Sequence, residues 1–342
     1  MADIAADIAA LEEALTTPTP EVISDVARLE GDIVVLGVGG KVGPSVAGMA
    51  ARAVREAGVD TTVYGVARFS DPAARATLEQ YGVVPVPADL TDDEQLAALP
   101  DAANVIYMAG NKFGTVGNEH FTWMMNAYLP GRVAQRYRDS RIVSFSTLVT
   151  YPLADVATGG SREADWPGIV GEYAASCVGR ERMFEHFSAK HDTPGRIVRL
   201  NYAIDMRYGV VFDVASKVHR GDPVDVTMGF VNVIWQGDAN AQVLRCLAHC
   251  TTPTSPINVT GPETISIRWL AHQLAARLDT GAEVVGQEAP TALLSDTTAA
   301  TALFGYPVVP LGRMLDWVAD WVKAGGTSFG KPTKFEVRDG EF

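Results

Sequence analysis

Short apolar runs alternate with longer amphipathic stretches along most of this chain, beginning near residue 31. Apolar runs of strand length that are separated by stretches of helix length indicate a parallel β-sheet covered on both faces, because strands buried on both faces become uniformly apolar. The sequence therefore predicts an α/β fold with a doubly wound parallel sheet. The predicted strands lie at 32–36, 61–66, 83–86, 105–108, 141–145 and 196–200.

The pattern changes towards both ends of the chain. Residues 1–30 have apolar positions every three to four residues, which is typical of an amphipathic helical extension. After Asn201 a strand-like segment at 256–259 stands among predicted helices. We expect a dinucleotide-binding domain at 31–200 and a tail at 331–342. Between them, residues 201–330 are expected to form a smaller C-terminal α/β lobe that mainly binds substrate, with segments that return to the sheet.

A glycine-rich loop follows the first predicted strand and leads into a predicted helix at 45–57. Its glycines are Gly37, Gly40 and Gly43, in the spacing G-x-x-G-x-x-G, with Lys41 and Val42 between the last two. Glycines at these places allow a tight turn, close approach of a pyrophosphate, and close packing of the helix on the strand. The loop predicts a Rossmann-type domain that binds a dinucleotide at the start of the helix.

The end of the second predicted strand bears on which dinucleotide is bound. NAD-binding domains usually place an acidic residue there to contact the ribose 2′-hydroxyl. This strand ends in Val66-Ala67-Arg68. An arginine favours the 2′-phosphate of NADP, and the alternative is that Arg68 only stacks on adenine, which leaves NAD possible.

Composition and charge narrow the choice of partners and compartment. The 342 residues carry 28 basic and 41 acidic side chains, a net charge of −13, and no basic cluster, which argues against nucleic acid as a partner. No run reaches the roughly 18 apolar residues of a membrane span. The first residues are acidic, unlike a signal peptide. Three irregularly spaced cysteines indicate a reducing compartment, so we expect a cytoplasmic protein without a metal site.

Several further motifs resemble the extended short-chain dehydrogenase/reductase family, in its NAD(P)-dependent epimerase/dehydratase group. The resemblance runs from about residue 32 to residue 322. Besides the glycine loop, the motifs that carry it are Asp89-Leu90, Met108-Ala109-Gly110, Asn126, Ser146-Thr147 with Tyr151, Glu172-Tyr173 with Cys177, and Arg199-Leu200-Asn201.

This resemblance implies roles for individual residues. Tyr173 is expected to transfer a proton to or from the substrate oxygen, and Thr147 to hydrogen-bond the same oxygen. It also implies a homodimer formed through helices around 121–137 and 173–190. The further cofactor contacts that it implies are Asp89, Leu90, Met108, Ala109, Gly110, Asn126, Tyr173 and Asn201.

One departure from the family pattern affects the proton transfer. The lysine that the family carries four residues after the tyrosine is Cys177 here, which supplies no positive charge. Arg180 lies one turn further along the same predicted helix and is expected to point too far along to contact the phenol. Lys112, in the loop after the fourth strand, is a candidate replacement that we assign to the catalytic set, the alternative being a solvated loop lysine.

Two other departures concern the reaction and the substrate. Leu148 and Val149 stand where dehydratases of the family carry an Asp-Glu pair, so a dehydration is not expected. Met228 stands where many relatives carry an arginine for a nucleotide diphosphate, and the segment after Asn201 is also altered. We therefore expect a small carbohydrate-like substrate, such as a free sugar, a sugar acid or a lactone, in place of a sugar nucleotide.

Together these features predict an NAD(P)-dependent oxidoreductase or epimerase that uses NADP or NAD. The alternative is an NAD(P)-binding redox sensor or regulatory protein with little or no turnover, for which the missing lysine is the main argument. The sequence leaves the two open.

Overall fold

A seven-stranded, wholly parallel sheet forms the centre of the computed structural model, which describes residues 7–112, 114–165, 167–331 and 333–340. The strands of the described residues are β1 (Ile33–Leu36), β2 (Val63–Ala67), β3 (Val84–Pro87), β4 (Asn104–Tyr107), β5 (Arg141–Thr147), β6 (Ala154–Asp155), β7 (Gly195–Leu200), β8 (Ala203–Ile204), β9 (Val224–Asp225), β10 (Phe230–Val231), β11 (Ile234–Trp235), β12 (Ser255–Val259), β13 (Ile265–Ser266), β14 (Val284–Val285) and β15 (Thr291–Ala292). The main sheet has the order β12-β7-β5-β4-β1-β2-β3, which confirms the predicted Rossmann-type α/β fold.

Helices cover both faces of this sheet and build the smaller lobe. Among the described residues they are α1 (Ile8–Thr16), α2 (Pro20–Val26), α3 (Gly43–Ala57), α4 (Pro72–Tyr81), α5 (Asp93–Ala97), α6 (Glu119–Trp123), α7 (Leu129–Arg136), α8 (Gly171–His191), α9 (Val210–Arg220), α10 (Gln236–Cys246), α11 (Ile267–Leu278), α12 (Thr298–Phe304) and α13 (Leu311–Lys323). A π-helical turn, Met124–Tyr128, joins α6 to α7. None of the described helices is long and apolar enough to cross a membrane.

Burial follows the position of each strand in the sheet. All four residues of β1 and of β4 are buried, because these strands lie at the centre under helices on both sides. At the edge, β3 is only partly buried and contains Pro85 and Pro87, which an edge strand tolerates because one side of it needs no hydrogen bonds. The predicted run 83–86 is therefore a strand, but not a buried one.

The smaller lobe has its own apolar core, formed mainly by α9, α11 and α13. Leu11 and Leu15 of the N-terminal helix α1 are fully buried in this core, and Phe335 of the C-terminal tail joins it with 2% of its surface exposed. Both ends of the chain therefore stabilise the lobe. Helix α10 and strand β12 return from the lobe region to the Rossmann domain, where β12 pairs with β7.

The strand order places the functional region. Strands β1 and β4 are neighbours, yet the chain continues outwards from them in opposite directions. At such a reversal the loops after the two strands separate and leave a crevice at the carboxyl edge of the sheet. The glycine loop follows β1 and the Lys112 loop follows β4, so both border this crevice.

Candidate active site

A cavity of about 390 Å³ lies at the carboxyl edge of the sheet, above β1, β2 and β4. It begins at the glycine loop and runs past the ends of β2 and β3 to the segment after β4. Eight of the residues that the sequence predicted as cofactor contacts line it: Gly37, Gly40, Arg68, Asp89, Leu90, Met108, Ala109 and Gly110.

The glycine loop shapes one end of the cavity. A Cβ on Gly37 would lie 2.6 Å from the backbone nitrogen of Ala109, and one on Gly43 would lie 2.2 Å from the carbonyl oxygen of Val38. These two glycines therefore allow the β1 and β4 loops and the start of α3 to pack closely. A Cβ on Gly40 would meet only the carbonyl oxygen of Gly37, at 3.8 Å, so the space beside Gly40 is open. The loop thus forms a cradle that a phosphate group fits, at the N-terminus of a 15-residue helix.

The opposite end of the cavity is lined by Arg68, which is exposed, and by Asp89. Asp89 accepts hydrogen bonds from the backbone and hydroxyl of Thr91, which lower the pKa of its carboxyl group, and the Arg68 charge lowers it further. Asp71 also lines this end, but its carboxylate already accepts a hydrogen bond of 2.9 Å from the Ala73 nitrogen at the start of α4. This end of the cavity therefore offers one arginine and a carboxylate that stays ionised.

Sequence reasoning missed several other residues of the wall. Phe69, Phe121 and Met125 line the cavity beside the predicted contacts, as do Gly39, Ser70, Ala74 and Thr91. Phe69 has a φ of 48°, which is uncommon for a residue with a bulky side chain. That value follows from the tight turn between β2 and α4. No motif in the sequence predicts this turn.

Six predicted cofactor contacts lie outside the wall of this cavity, and one of them, Tyr173, is described with Thr147 below. Val42 precedes α3, Gly43 is buried under it, and Asn201 is buried between β7 and the lobe. Lys41 does not line the cavity, and its Nζ lies 2.6 Å from the centre of the Tyr208 ring. The fifth residue, Asn126, lies beneath the loop after β4.

Asn126 is a buried crosslink. Its Oδ1 accepts hydrogen bonds from the Asn111 nitrogen at 2.8 Å and from Nη2 of Arg180 at 2.7 Å, and its Nδ2 donates to the Asn111 carbonyl and to Ser176. Arg180 also donates from Nη1 to the Phe145 carbonyl. One asparagine therefore holds the loop after β4 against helix α8.

Gly110 makes this arrangement possible. A Cβ at this position would lie 2.4 Å from Nη2 of Arg180 and 3.0 Å from Oδ1 of Asn126. Any larger residue would displace the buried guanidinium. The glycine thus lets Arg180 pass directly beneath the floor of the cavity.

Tyr173 and Thr147 meet at the end of this crevice. The Tyr173 hydroxyl is hydrogen-bonded to the side chains of Thr147 and Cys177. Burial and the neighbouring Cys177 raise the pKa of the Tyr173 phenol well above its usual value, whereas Arg180 and the Thr147 hydroxyl lower it. Thr147 ends β5, and Tyr173 lies in the first turn of α8, so two separate elements bring the pair together.

Two cations lie near this pair. From the sequence, Arg180 was expected to point too far along α8 to contact the Tyr173 phenol. In the structure its side chain is buried under the site, and its charge lowers the pKa of Tyr173. Burial raises the pKa of the neighbouring Cys177 thiol, and the charges of Arg180 and Lys112 lower it. Burial in turn lowers the pKa of Lys112 itself. The position of the missing lysine therefore has a buried guanidinium beneath it and an amine beside it.

A buried ion pair fixes β5 and α8 relative to each other. Arg199 makes a two-pronged contact with the Glu181 carboxylate, at 3.0 and 2.6 Å, and Ser146 donates to the same carboxylate at 2.5 Å. Arg199 also donates to the Tyr151 hydroxyl at 2.6 Å. Ser146 directly precedes Thr147, so this network holds the strand end that presents the threonine. The resemblance singled out Arg199 and Tyr151 as motif residues, and the structure gives both a structural contact.

Comparison with known proteins adds a likeness in fold. The sequence matches no protein-family model and no curated protein. Among solved structures, it is similar to Pal from Bacillus thuringiensis, with a TM-score of 0.70, 16% sequence identity, and coverage of 86% of this chain and 99% of that one. The UDP-glucuronic acid 4-epimerase from Bacillus cereus, in complex with UDP-glucuronic acid and NAD, gives the same four values.

A third similar structure is the UDP-glucose 4-epimerase from Thermotoga maritima with UDP-glucose, with a TM-score of 0.68, 15% identity, and coverage of 86% of this chain and 99% of that one. At such identities the likeness shows the fold. The expected Rossmann-type α/β fold is thus confirmed over most of the chain.

Proposed function

We propose that this chain is an NAD(P)-dependent oxidoreductase or epimerase that transfers hydride at a carbinol or ketone of a small carbohydrate-like substrate. The observation that carries the proposal is the hydrogen-bonded pair of Tyr173 and Thr147 beside the glycine-lined cavity. A protein that only bound a dinucleotide would need the cavity but not this pair. The epimerases with a similar fold support the same class of reaction.

Tyr173 and Thr147 have different roles at the substrate oxygen. Tyr173 holds the proton that moves to or from that oxygen, and Thr147 donates or accepts a hydrogen bond at the same atom. The nicotinamide, when it is bound, supplies or takes the hydride. Gly37, Gly40 and the start of α3 would hold the pyrophosphate, since the space beside Gly40 is open to it. Leu148 and Val149 cannot transfer protons, so no dehydration follows.

Proton transfer needs a cation near the phenol, because Cys177 replaces the lysine. An unperturbed tyrosine titrates near pH 10, and burial raises the pKa of Tyr173 further. Arg180 offsets part of this rise from beneath the site. Lys112 supplies a second positive charge, next to Cys177. We assign Lys112 to the catalytic set and Arg180 a positioning role.

NADP is our preferred cofactor, with NAD as the alternative. Arg68 lines the cavity, and Asp71 is engaged in capping α4, which leaves the arginine available to a 2′-phosphate. On the other side, the similar structures of UDP-glucuronic acid 4-epimerase contain NAD. Direct titration with both dinucleotides decides between them.

The substrate we propose is a free sugar, a sugar acid or a lactone, although the titles of the similar structures name UDP-sugars. Met228 is 1% exposed and packs in an apolar cluster that includes Leu148 and Val149. Arg338 of the C-terminal tail lies against its sulfur, with Nη1 at 3.5 Å. The place of a nucleotide-binding arginine is therefore taken by a buried methionine, and Arg338 of the protein's own tail covers it.

We further propose a homodimer in the cytoplasm, formed through α6, α7 and α8. Phe121, Trp123 and Tyr128 are 37%, 40% and 63% exposed on this face. Three aromatic side chains at one surface favour an interface with a second copy. Two residues that the resemblance would also place there, Val133 and Phe184, are buried in the core instead. Sedimentation of the wild type and of Tyr128→Glu, which should be monomeric, tests the dimer.

The function is tested by calorimetric titration with NADP and NAD, followed by a 340 nm assay with free sugars, sugar acids, lactones and UDP-sugars. Binding with an absorbance change establishes a dehydrogenase. Binding without one calls for NMR analysis of the product isomers, which identifies an epimerase. Binding with neither outcome favours the redox sensor, for which the replacement of the lysine by Cys177 is the specific argument. Absence of binding contradicts the proposal.

A further inference from the structure

The first half of the C-terminal tail is fixed to the lobe. The Thr333 nitrogen and hydroxyl both donate to Oδ2 of Asp213, at 2.9 and 2.5 Å, and Phe335 is buried in the core of the lobe. Lys217 forms an ion pair with Glu336. Because Asp213 and Lys217 both belong to α9, this helix holds the tail in place as far as Glu336.

The second half of the tail is bound to the segments around the catalytic pair, beginning with Arg338. Its Nη1 donates to the Thr291 carbonyl at 2.8 Å, and its Nη2 donates to the Thr291 hydroxyl at 2.7 Å. Nη1 also lies 3.5 Å from the sulfur of Met228. Met228 belongs to an apolar cluster that includes Leu148 and against which Tyr173 packs. Arg338 therefore joins the tail to the apolar surroundings of the proposed catalytic tyrosine.

Gly340, near the end of the tail, packs on the backbone that begins α8. A Cβ on Gly340 would lie 2.5 Å from the Val170 carbonyl oxygen, and one on Gly171 would lie 2.9 Å from the Gly340 carbonyl oxygen. Both glycines have a positive φ, 82° and 81°, which other residues rarely adopt. Val170, at the N-cap position, makes no side-chain capping hydrogen bond. The packing of the tail therefore restrains the first turn of α8, in which Tyr173 lies.

A small cavity shows how closely the tail fits against both catalytic segments. Its volume is about 30 Å³, and its wall combines Arg338 and Gly340 of the tail with Val149 and Val170. Val149 follows Thr147 by two residues, and Val170 directly precedes α8. The same two tail residues therefore border the segment that presents the threonine and the segment that presents the tyrosine.

The dinucleotide cavity is separate from the tail. All the described residues that line it lie between Gly37 and Met125 in the chain. The contacts of the tail fall instead on Met228, Thr291 and the start of α8. A change in the tail should therefore act on the catalytic pair and leave dinucleotide binding intact.

We propose that Arg338 and Gly340 are positioning residues, which seat the tail across the substrate side of the crevice and thereby hold Tyr173 against Thr147. This inference rests on the proposed function, because it concerns the same catalytic pair. Proton transfer is efficient only when the phenol lies within hydrogen-bonding reach of the substrate oxygen, and a displacement of about 1 Å costs about a hundredfold in rate. Tyr173 reaches Thr147 from the first turn of a helix that has no capping side chain, so its position depends on the tail.

The experiment compares full-length variants with the wild type. Arg338→Ala removes the hydrogen bonds to Thr291, and Arg338→Lys keeps a donor for them. Gly340→Ala places a methyl group 2.5 Å from the Val170 carbonyl oxygen and so unseats the end of the tail. Gly330→Ala is the matched control, because Gly330 also has a positive φ, 64°, but a Cβ there would meet nothing within 4 Å.

The first measurement does not depend on turnover. Cys177 is fully buried in α8, so iodoacetamide reaches its thiol only when the start of the helix opens. Alkylation of Cys177, followed by mass spectrometry, should be faster by about tenfold or more in Gly340→Ala and Arg338→Ala than in the wild type. The matched control should react like the wild type, and Arg338→Lys should lie close to it. Cys250, half-buried near the start of β7 at the opposite edge of the sheet, is the internal reference and should keep its rate.

The second measurement is kcat per dinucleotide-binding site, with the substrate that the 340 nm or NMR assay identifies. The number of sites comes from calorimetric titration with NADP or NAD, and the affinity should stay within about twofold of the wild type in every variant. In Arg338→Ala and Gly340→Ala, kcat per site should fall about ten- to a hundredfold, and Arg338→Lys should recover most of the loss. A loss of stability alone would lower the number of sites and leave kcat per site unchanged.

The proposal is overturned if Cys177 reacts at the wild-type rate in Gly340→Ala and Arg338→Ala, if Gly330→Ala accelerates the reaction equally, or if kcat per site is unchanged. Failure of the proposed function is a separate result, which would show as absent dinucleotide binding or absent hydride transfer in the wild type. The alkylation rates would then still confirm or overturn the hold of the tail on the start of α8.

Discussion

Nη2 of Arg180 lies 2.7 Å from Oδ1 of Asn126, and the same oxygen accepts the backbone N–H of Asn111 at 2.8 Å. Asn111 is followed directly by Lys112. One buried amide therefore positions both cations that stand near Tyr173, the guanidinium beneath it and the amine beside its neighbour Cys177. The two cations belong to different elements, Arg180 to α8 and Lys112 to the loop after β4, and they share this one anchor.

Replacing Arg180 with glutamine should shift the pH profile of the reaction. The guanidinium lowers the pKa of Tyr173, so removing it raises that pKa. The limb of kcat/KM on which Tyr173 acts as a base should then move to higher pH by about one unit. Arg180→Lys keeps the charge and should restore most of the profile.

A purely structural role for Arg180 predicts a different result. Loss of its hydrogen bonds to Asn126 and Phe145 should cost about 2–4 kcal/mol in the free energy of unfolding in either case. If the variant is merely less stable, the pH profile keeps its position while the amount of active enzyme falls. An unshifted limb would therefore rule out the electrostatic role.

Replacing Lys112 with alanine should lower kcat about ten- to a hundredfold and leave the dinucleotide affinity within twofold. The amine acts on Cys177, next to the phenol, and it lies outside the wall of the dinucleotide cavity. Lys112→Arg should recover part of the loss. Wild-type turnover in the alanine variant would show that this residue takes no part in the reaction.

Gly40→Ala should weaken dinucleotide binding without changing the stability of the fold. A Cβ on Gly40 enters open space beside the cradle, so the variant should unfold at the wild-type temperature but bind NADP and NAD at least tenfold more weakly. Gly43→Ala is the contrasting change, because its Cβ would lie 2.2 Å from the Val38 carbonyl oxygen and should lower the stability. Unchanged dinucleotide affinity in a folded Gly40→Ala protein would place the cofactor elsewhere.

The sequence predicted the parts of this molecule that local pattern determines. The apolar runs gave the main strands, and the glycine spacing between a strand and a helix gave the cradle, because each depends on neighbouring residues. Tyr173 and Thr147 were paired through a family resemblance, and their contact agrees with it. The role of Arg180 was missed, since whether a side chain at the next turn points along the helix or under the sheet depends on Gly110, 70 positions away.

The path of the C-terminal tail was even less predictable from the sequence than the role of Arg180. Its basic residues are visible in the sequence, but the local pattern does not indicate what they contact. What fixes its path is long-range: Thr333 binds Asp213, 120 positions away, and Arg338 binds Thr291, 47 positions away. Such contacts leave no periodic signal.

Lys41 should make dinucleotide binding take up a proton. Burial, with help from Lys112 and Lys331, lowers the pKa of Lys41 to about 7, so at pH 8 most Lys41 amines are neutral in the free protein. A bound pyrophosphate favours the charged amine and raises this pKa. Calorimetry of NAD binding in buffers of different ionisation enthalpy should therefore show uptake of nearly one proton at pH 8 and close to none at pH 6. NAD is the ligand of choice, since it lacks a phosphate monoester that titrates near pH 6.

Lys41→Met is the matched variant. It removes the titrating amine and leaves Lys112 and the tail lysines in place, so it should abolish the proton uptake at pH 8. The same residue gives a second, independent readout in the free protein. Between pH 7 and about 10.5 the unfolded chain holds the Lys41 proton and the folded chain does not, so this group makes the free energy of unfolding rise with pH across that window. The methionine variant should lose this rise. Equal proton uptake in both proteins, with equal slopes of stability against pH, would show that Lys41 titrates normally and does not sense the anion.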